Sequence, residues 1–333
     1  MRIFSASLLA LAAVVSAASA DGYKLVKTIP VPGDGGWDYL TVDGGGRRVY
    51  VSHGNQVDVI DADANTVAGT IPDLKGVHGI AVAADLGRGF ISNGRGDNVT
   101  IFDLKTLKPI GDPVATGKNP DAIMYDPATK CVFAFNGRDS SATVIDAAEG
   151  KVVGTIDLGG KPEFAVSDGA GAVFDNLEDK STLVKIDAKK RAVSDRWPVA
   201  PGEEPSALAI DAKNHRLFAG CGNKMMVVID ADSGKVIEHL PIGDHVDAGA
   251  FDPDTGMIYF SCGDGTTTVI HEDGPDKYSV VETVKTKERS KTMALDPKTH
   301  DIFLPSADFK PNAGGGRPSV VPGTFAVLRF SKQ

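Results

Sequence analysis

The sequence has little of several residue types that would indicate particular classes of protein. Only three cysteines occur among 333 residues, and no C-x-x-C pair is present. This excludes a disulfide scaffold, a zinc ribbon, a thioredoxin motif and a c-type haem attachment site. Basic residues are in the minority, with 35 Lys and Arg against 44 Asp and Glu and a net charge of −9. The chain therefore lacks the broad positive surface of a duplex-binding protein.

Long apolar runs are also scarce, and the one that stands out is at the N-terminus. Arg2 precedes an apolar run over residues 8–15, and Ala18-Ser19-Ala20 fits the small-x-small rule for signal-peptide cleavage. The run is shorter than the roughly 20 residues that a permanent membrane helix needs. We therefore predict a signal peptide over residues 1–20, cleaved after Ala20, and a periplasmic or secreted protein. No other segment indicates a membrane span.

What the sequence does have is an internal repeat of about 42 residues. An apolar residue followed by Asp recurs at intervals of 42, 43, 41 and 43 residues. A second column, an apolar run with an aromatic residue in third place, occurs seven times in the same register. The repeated aspartates are Asp61, Asp103, Asp146, Asp187 and Asp230, and the aromatic column is Tyr50, Phe90, Phe133, Phe174, Phe218, Tyr259 and Phe303.

Each repeat divides into four short segments rich in Val, Ile, Thr and aromatics, separated by turn residues. This spacing is typical of a β-propeller blade. Residues 23–29 match residues 278–284, the fourth strand of unit six, whereas the chain stops after the third strand of unit seven. We therefore predict an all-β, seven-bladed β-propeller over residues 21–333, with four antiparallel strands per blade and an N-terminal strand that closes blade seven.

Several segments carry a resemblance to a known family. They are Arg48-Val49-Tyr50-Val51-Ser52-His53-Gly54, Lys161-Pro162-Glu163-Phe164 and the repeated Ile-Asp ends. The units resemble the YVTN family of β-propeller repeats, and the mature chain resembles the YncE-like exported bacterial propellers. The resemblance implies a seven-bladed fold and export, and it implies no particular reaction, because a fold does not determine a function.

The repeat allows one position to be compared across all seven first strands. Because first strands are innermost in a propeller, these side chains are predicted to form a ring, which we call the mouth ring, at one mouth of the central channel. Its members are Asp38, His78, Asp121, Glu163, Ser206, Asp247 and Lys291. Oxygen ligands suit hard cations and a histidine suits transition metals. We predict a polar-ligand site, with Asp38, His78, Asp121, Glu163 and Asp247 as candidate ligands of a divalent cation. The alternative is a hydrated rim partly paired to Lys291.

A second set of residues follows the ends of the second strands, which face the same mouth. His53 is one of them, and Arg95 and Arg138 lie two places further on in adjacent blades. The two arginines would together hold a carboxylate or a phosphate. Alternatively, they would pair with nearby aspartates. Cys221 and Cys262 occupy equivalent places in adjacent blades, and whether they form a disulfide stays open at this point.

The last unit is roughly 16 residues longer than the 42-residue period, and the extra residues lie within residues 307–324. This segment follows a second strand, so it is predicted at the same mouth as the ring. Long propeller loops are often functional. The segment is expected to be a lid or partner-docking loop, and the alternative is a floppy insertion.

These observations favour a monomeric exported scaffold that binds a small molecule or a protein partner at its acidic mouth. One alternative is a metal-assisted enzyme at that mouth, similar to propeller lactonases and lyases, with His78 or Glu163 as acid or base. Another is binding of single-stranded nucleic acid, which is disfavoured by the acidic charge and by the lack of a basic groove with interleaved aromatics.

Overall fold

The computed structural model describes residues 22–33, 35–274, 276–312, 316 and 318–333. The predicted signal peptide lies outside the described residues. Seven four-stranded antiparallel sheets account for most of the described chain. The first strands of neighbouring sheets contact one another around the ring, so they line the central channel. This confirms the predicted seven-bladed propeller.

Each of the first six blades uses four consecutive strands, which run in order from the innermost to the outermost. Blade one is Leu40–Asp43, Arg48–His53, Gln56–Asp61 and Thr66–Ile71. Blade two is Val77–Ala83, Arg88–Asn93, Asn98–Asp103 and Val114–Ala115. Blade three is Pro120–Asp126, Cys131–Asn136, Ser141–Asp146 and Lys151–Asp157. Blade four is Pro162–Ser167, Ala172–Leu177, Thr182–Asp187 and Ala192–Pro198.

The remaining blades follow the same order, and short elements occupy some of the turns. Blade five is Pro205–Asp211, Arg216–Cys221, Met225–Asp230 and Val236–Pro241, and blade six is Val246–Asp252, Met257–Cys262, Thr266–Gly274 and Lys277–Lys285. Blade seven is Ala294–Leu295, Ile302–Ser306, Ala326–Lys332 and Tyr23–Pro30. Single-turn 3-10 helices cover Ala84–Leu86, Gly94–Gly96 and Glu178–Lys180.

Blade seven is closed by the N-terminal strand, as the sequence match predicts. Tyr23–Pro30 pairs antiparallel with Ala326–Lys332 over almost its whole length. The Tyr23 hydroxyl lies 2.8 Å from the Tyr259 hydroxyl and donates to the His300 carbonyl at 2.7 Å. The N-terminal and C-terminal strands are therefore neighbours in one sheet. The N-terminal strand covers the edge that Ala326–Lys332 would otherwise expose.

The core lies between the blades. The seven residues of the aromatic column are all buried, with at most 1% of their surface exposed. Both faces of a middle strand are covered by neighbouring blades, which is why these strands are buried along most of their length. The repeated aspartates cap turns instead: Asp146 Oδ1 accepts hydrogen bonds from the backbone N–H groups of Ala148 and Glu149 at 2.9 and 2.8 Å.

None of the three cysteines forms a disulfide. Cys131, Cys221 and Cys262 are all free and buried. Burial raises the pKa of the Cys221 and Cys262 thiols to about 12. These two residues therefore act as small apolar side chains in the core.

The described residues include no helix with the length and apolarity that a crossing of a lipid bilayer requires.

Candidate functional site at the channel mouth

The mouth-ring residues of blades two to six lie at irregularities in their first strands. The pairing between first and second strand shifts register at His78, Asp121, Glu163, Ser206 and Asp247. A residue in a β-bulge is released from strict alternation, so its side chain can be turned toward a site. The same irregularity, repeated in five blades, brings chemically different side chains to one level of the channel.

The backbone of the mouth ring is held by polar links between neighbouring blades. Ser92 Oγ donates to the Asp121 carbonyl at 2.6 Å, and Ser261 Oγ donates to the Lys291 carbonyl at 2.5 Å. Thr292 Oγ1 donates to the Asp38 carbonyl at 2.7 Å. Each link joins one blade to the ring residue of the next. The ring positions are therefore fixed by hydrogen bonds as well as by packing.

Three ring residues form a compact cluster. His78 Nδ1 lies 2.6 Å from Asp38 Oδ2 and 3.4 Å from Asp121 Oδ1. One ligand atom from each of these residues falls within 4.8 Å of the other two. Between 16% and 28% of each side chain is exposed. The cluster is therefore within reach of the mouth while remaining largely shielded from solvent.

The other charged ring residues have basic partners. Glu163 Oε2 lies 3.0 Å from Lys161 Nζ, and Lys161 also pairs with Glu178. Asp247 Oδ2 lies 2.6 Å from Lys291 Nζ. Negative charge still predominates, because the four ring carboxylates and Glu178 together face only Lys161, Lys291 and His78. The expected pairing of carboxylates with Lys291 is thus present for Asp247.

The floor beneath the mouth ring is aromatic. Tyr39, next to Asp38 in blade one, contacts Phe164, next to Glu163 in blade four, with ring centroids 5.3 Å apart. Burial and then the negative charge of Asp121, Asp38, Asp247 and Glu163 raise the pKa of Tyr39 well above its usual range. All four ring carboxylates therefore disfavour ionisation of this one phenol.

Burial dominates the electrostatics of the ring carboxylates. It raises the pKa of Asp121 to about 6, that of Glu163 to about 7 and that of Asp247 to about 6. For His78, burial alone would lower the pKa, but the hydrogen bond to Asp38 and the charges of Asp121 and Asp38 together raise it above its usual value. Groups poised in this way can exchange protons near neutral pH or give them up to a bound cation.

Four of the predicted site residues take no part in the charge interactions of the mouth ring. Ser206 is buried, and its hydroxyl donates to the Val246 carbonyl at 2.7 Å. His53 does not line the mouth: it is only 2% exposed, and its Nδ1 lies 2.8 Å from Asp58 Oδ2. Arg95 is exposed and donates to Asn55 Oδ1 at 3.1 Å.

Arg138 is also exposed, and its backbone N–H donates to the Lys118 carbonyl at 3.2 Å. The expected pairing of these arginines with aspartates is not what the contacts show. Asp97 pairs with Lys118 instead, at 2.7 Å, and Asp139 accepts a hydrogen bond from the Lys118 backbone N–H at 2.6 Å. Among the described residues neither arginine pairs with an aspartate, and joint binding of a carboxylate or phosphate by Arg95 and Arg138 stays a prediction.

The extra segment of blade seven forms part of the same mouth. Phe309–Lys310 pairs with Ser319–Val320 as a short antiparallel ladder, which we call the blade-seven hairpin. Phe309 packs near Trp37, with ring centroids 5.9 Å apart, and Trp37 stacks on Phe325 at 5.0 Å. The described part of the segment is therefore anchored to blade one by aromatic contacts. The glycine-rich residues 313–315 lie outside the described residues.

Some residues of the site carry no signal in the repeat. Tyr39 directly follows a mouth-ring residue, and its position in the repeat does not distinguish it from other strand residues. Its contact across the axis is visible only in the folded propeller. Lys161 and Glu178 lie off the aligned position. Arg289, whose guanidinium carbon is 5.1 Å from the centre of the Phe309 ring, depends on a partner in the non-repeating segment.

Comparisons with known proteins agree with the fold. Hydrazine synthase of Kuenenia stuttgartiensis matches with a TM-score of 0.71 and 18% identity, over 88% of this chain and 97% of that chain. A chain from a structure of the mitotic checkpoint complex matches with a TM-score of 0.77 and 13% identity, over 100% of this chain and 99% of that chain. At these identities the similarity shows the propeller fold alone. No protein-family model and no curated protein matches the chain.

Proposed function

We propose that this protein is an exported propeller of the YVTN, YncE-like type that acts as a monomeric binding scaffold. Its ligand, or the contacting group of its protein partner, is a cation that enters the mouth ring. The observation that carries this proposal is the cluster of Asp38, His78 and Asp121, whose ligand atoms lie within 4.8 Å of one another. Glu163 and Asp247 lie at the equivalent bulges of blades four and six and add two more carboxylates to the ring. Like charges held together in a shielded place repel one another, and a bound cation relieves that repulsion.

A divalent metal ion suits one part of the mouth ring. The cluster of Asp38, His78 and Asp121 offers two carboxylates and one imidazole nitrogen. Such a mixed set accepts Mn²⁺, Zn²⁺ and related ions, whereas Ca²⁺ and Mg²⁺ prefer oxygen ligands alone. Glu163 and Asp247, further round the ring, add negative charge that attracts any of these cations.

Thermal melting tests this proposal. A cation that binds the folded state alone stabilises it by RT ln(1 + [L]/Kd), so Tm should rise with cation concentration. Ca²⁺, Mg²⁺, Mn²⁺, Zn²⁺ and a set of organic amines are the probes. The double variant D121N/E163Q should lose the response. The matched control D195N/E238Q removes the same two charges from exposed outer-strand positions and should keep it.

A Tm that none of these cations or amines changes would refute the proposal. A response that is equal in the two double variants would show that the cation binds elsewhere. A response to amines but not to metal ions would assign the mouth ring to an organic cation.

A metal-assisted enzyme remains the second candidate, and one observation favours it. His78 lies between two carboxylates, and its own pKa is raised above its usual value. A proton-transferring group beside a metal ion has this arrangement. Metal-dependent hydrolysis of lactones, lost in H78Q, would establish this function. Turnover that is equal with EDTA and with Mn²⁺ would count against it.

A phosphate backbone would be repelled by the mouth ring, so nucleic acid is not proposed as a ligand.

A further inference from the structure

A cleft of about 640 Å³ opens beside the mouth ring, between blades one, six and seven. Its lining includes Trp37, Arg289, Lys291, Phe309 and Val320, and we call it the Arg289 cleft. Its volume is within the range of small-molecule sites, roughly 300–1,000 Å³. We propose that the Arg289 cleft binds a carboxylate-bearing small molecule with a flat apolar body.

The apolar wall of the cleft is built by the segment that breaks the repeat. Phe309 and Val320 lie on the two strands of the blade-seven hairpin, directly opposite each other in register. Trp37 is held in place because its indole stacks on Phe325, with an angle of 25° between the ring planes. All three wall residues are only partly buried. The wall therefore offers fixed aromatic surface on which a flat group can stack.

Arg289 supplies the anion-binding group. Its guanidinium lies over the Phe309 ring, 5.1 Å from the centroid, which restricts its orientation. Its backbone N–H donates to the Gly263 carbonyl at 2.9 Å. Among the described residues it makes no ion pair. A planar guanidinium that is oriented and unpaired binds a carboxylate with two parallel hydrogen bonds.

The acidic residues of the same cleft do not compete strongly for Arg289. Asp244 pairs with Lys224 at 2.8 Å. Asp264 accepts hydrogen bonds from the Asp244 backbone N–H at 2.8 Å and from the Thr266 hydroxyl at 2.6 Å. Glu288 is the remaining acid of the lining, and it is exposed to solvent. These contacts leave the guanidinium available to an incoming anion.

The cleft is distinct from the mouth ring, although they adjoin. Lys291 lines the cleft, but its Nζ is held 2.6 Å from Asp247 in the ring. The carboxylate is therefore assigned to Arg289 and the cation to the mouth ring, so either site can bind without the other. A molecule with both a carboxylate and a cationic group has the charges to occupy both sites.

Fluorescence of Trp37 reports occupation of the cleft. The probe is 3-phenylpropionate, and the matched probes are 3-phenylpropanamide, which lacks the charge, and 3-phenylpropylamine, which reverses it. A ligand of this size is expected to bind with a Kd of about 1 mM. We expect saturable quenching by the carboxylate, at least tenfold weaker binding of the amide, and no signal in W37F. The amine is compared in D121N/E163Q, whose mouth ring should no longer respond to amines, and there it should also bind at least tenfold more weakly. Saturation-transfer NMR provides a second readout that does not depend on the indole.

Variants separate this proposal from simple apolar binding. R289A should weaken 3-phenylpropionate at least tenfold and R289K by less, while the amide is unaffected and Tm stays within a degree or two because the side chain is exposed. Equal affinity for the carboxylate and the amide, equal affinity in R289A, or no binding up to about 20 mM would overturn the proposal. D121N/E163Q should bind the probe normally and R289A should keep its cation response, so the two sites can fail separately.

Discussion

Tyr39 of blade one and Phe164 of blade four meet across the propeller axis, with their ring centroids 5.3 Å apart. Blades one and four are on opposite sides of a seven-membered ring, so this contact obstructs the central channel beneath the mouth ring. The mouth is therefore a cup with an aromatic floor, and a ligand approaching its carboxylates enters from one side.

Replacement of Tyr39 tests how much this contact contributes to stability. Tyr39 is 7% exposed, and removal of a buried aromatic ring costs about 3–5 kcal/mol of unfolding free energy. Y39A should therefore lower the unfolding free energy by about 3 kcal/mol. Y39F keeps the ring contact and removes only the hydroxyl, so it should cost much less. Urea unfolding measures both, and similar values for the two variants would contradict the contact.

Closure of blade seven predicts a much larger effect from a terminal deletion. Loss of residues 23–31 removes the outermost strand of blade seven, together with the Tyr23 hydrogen bonds to Tyr259 and His300. The third strand, Ala326–Lys332, then becomes an exposed edge. We expect the whole ring to melt at a clearly lower temperature.

The control for this deletion is L25T, which changes an exposed side chain of the same strand and leaves the pairing intact. If the truncated protein melted within a degree or two of the intact chain, closure by this strand would not stabilise the ring.

The raised pKa of Glu163 predicts that stability falls as pH rises. Burial holds this pKa at about 7, above its ordinary value of 4.5, so the folded state binds more protons than the unfolded state between these values. The resulting stabilisation is fully present below about pH 4.5 and is lost as pH rises through about 7. In EDTA, E163Q should show a shallower decline of Tm between about pH 5 and pH 8.

E238Q, which changes an exposed carboxylate on an outer strand, should keep the slope of the unmutated protein. An E163Q slope equal to that of the unmutated protein would mean that Glu163 titrates normally.

The sequence alone leads to the propeller and to most of the mouth ring, because both follow from register. Once the Ile-Asp steps fix the blades, Asp38, His78 and Asp121 must lie at one level around one axis, and the structure brings them together. The same reasoning places His53 at the mouth, and this prediction does not agree with its burial. His53 ends its strand in register with the others, but its partner Asp58 is buried on the neighbouring strand, and Phe325 covers it, with ring centroids 4.3 Å apart.

The remaining parts of the site depend on contacts that no repeat encodes. Phe325 lies beyond the non-repeating segment of blade seven, and the Arg289 cleft is lined by Phe309 and Val320 from within that segment. The residues of this segment have no equivalent positions in the other six blades, so comparison between blades gives no information about them. Tyr39 and Phe164 do occupy equivalent positions, yet which two side chains meet across the axis is decided by their size and rotamers.

Gly94 provides a way to disturb the mouth ring without removing any of its charges. A Cβ at this position would lie 2.5 Å from both Cδ2 and Nε2 of His78, so the imidazole can occupy its place only because residue 94 has no side chain. In G94A the ring of His78 must turn away from Asp38 and Asp121. The hydrogen bond that raises the pKa of His78 is then lost. Burial, which lowers this pKa, then has the larger effect.

NMR titration of the His78 imidazole measures this effect directly, with H78Q used to assign the resonance. We expect the His78 pKa in G94A to fall below its value in the unmutated protein, and any Tm response to Mn²⁺ or Zn²⁺ to weaken. Overpacking of this kind costs about 1–3 kcal/mol, so the variant should remain folded. G45A is the matched control, because its Cβ would meet only Asp43 Oδ1, at an ordinary 3.5 Å. An unchanged His78 titration in G94A would mean that the imidazole is not held against Asp38 and Asp121, and the metal cluster would lose its geometric basis.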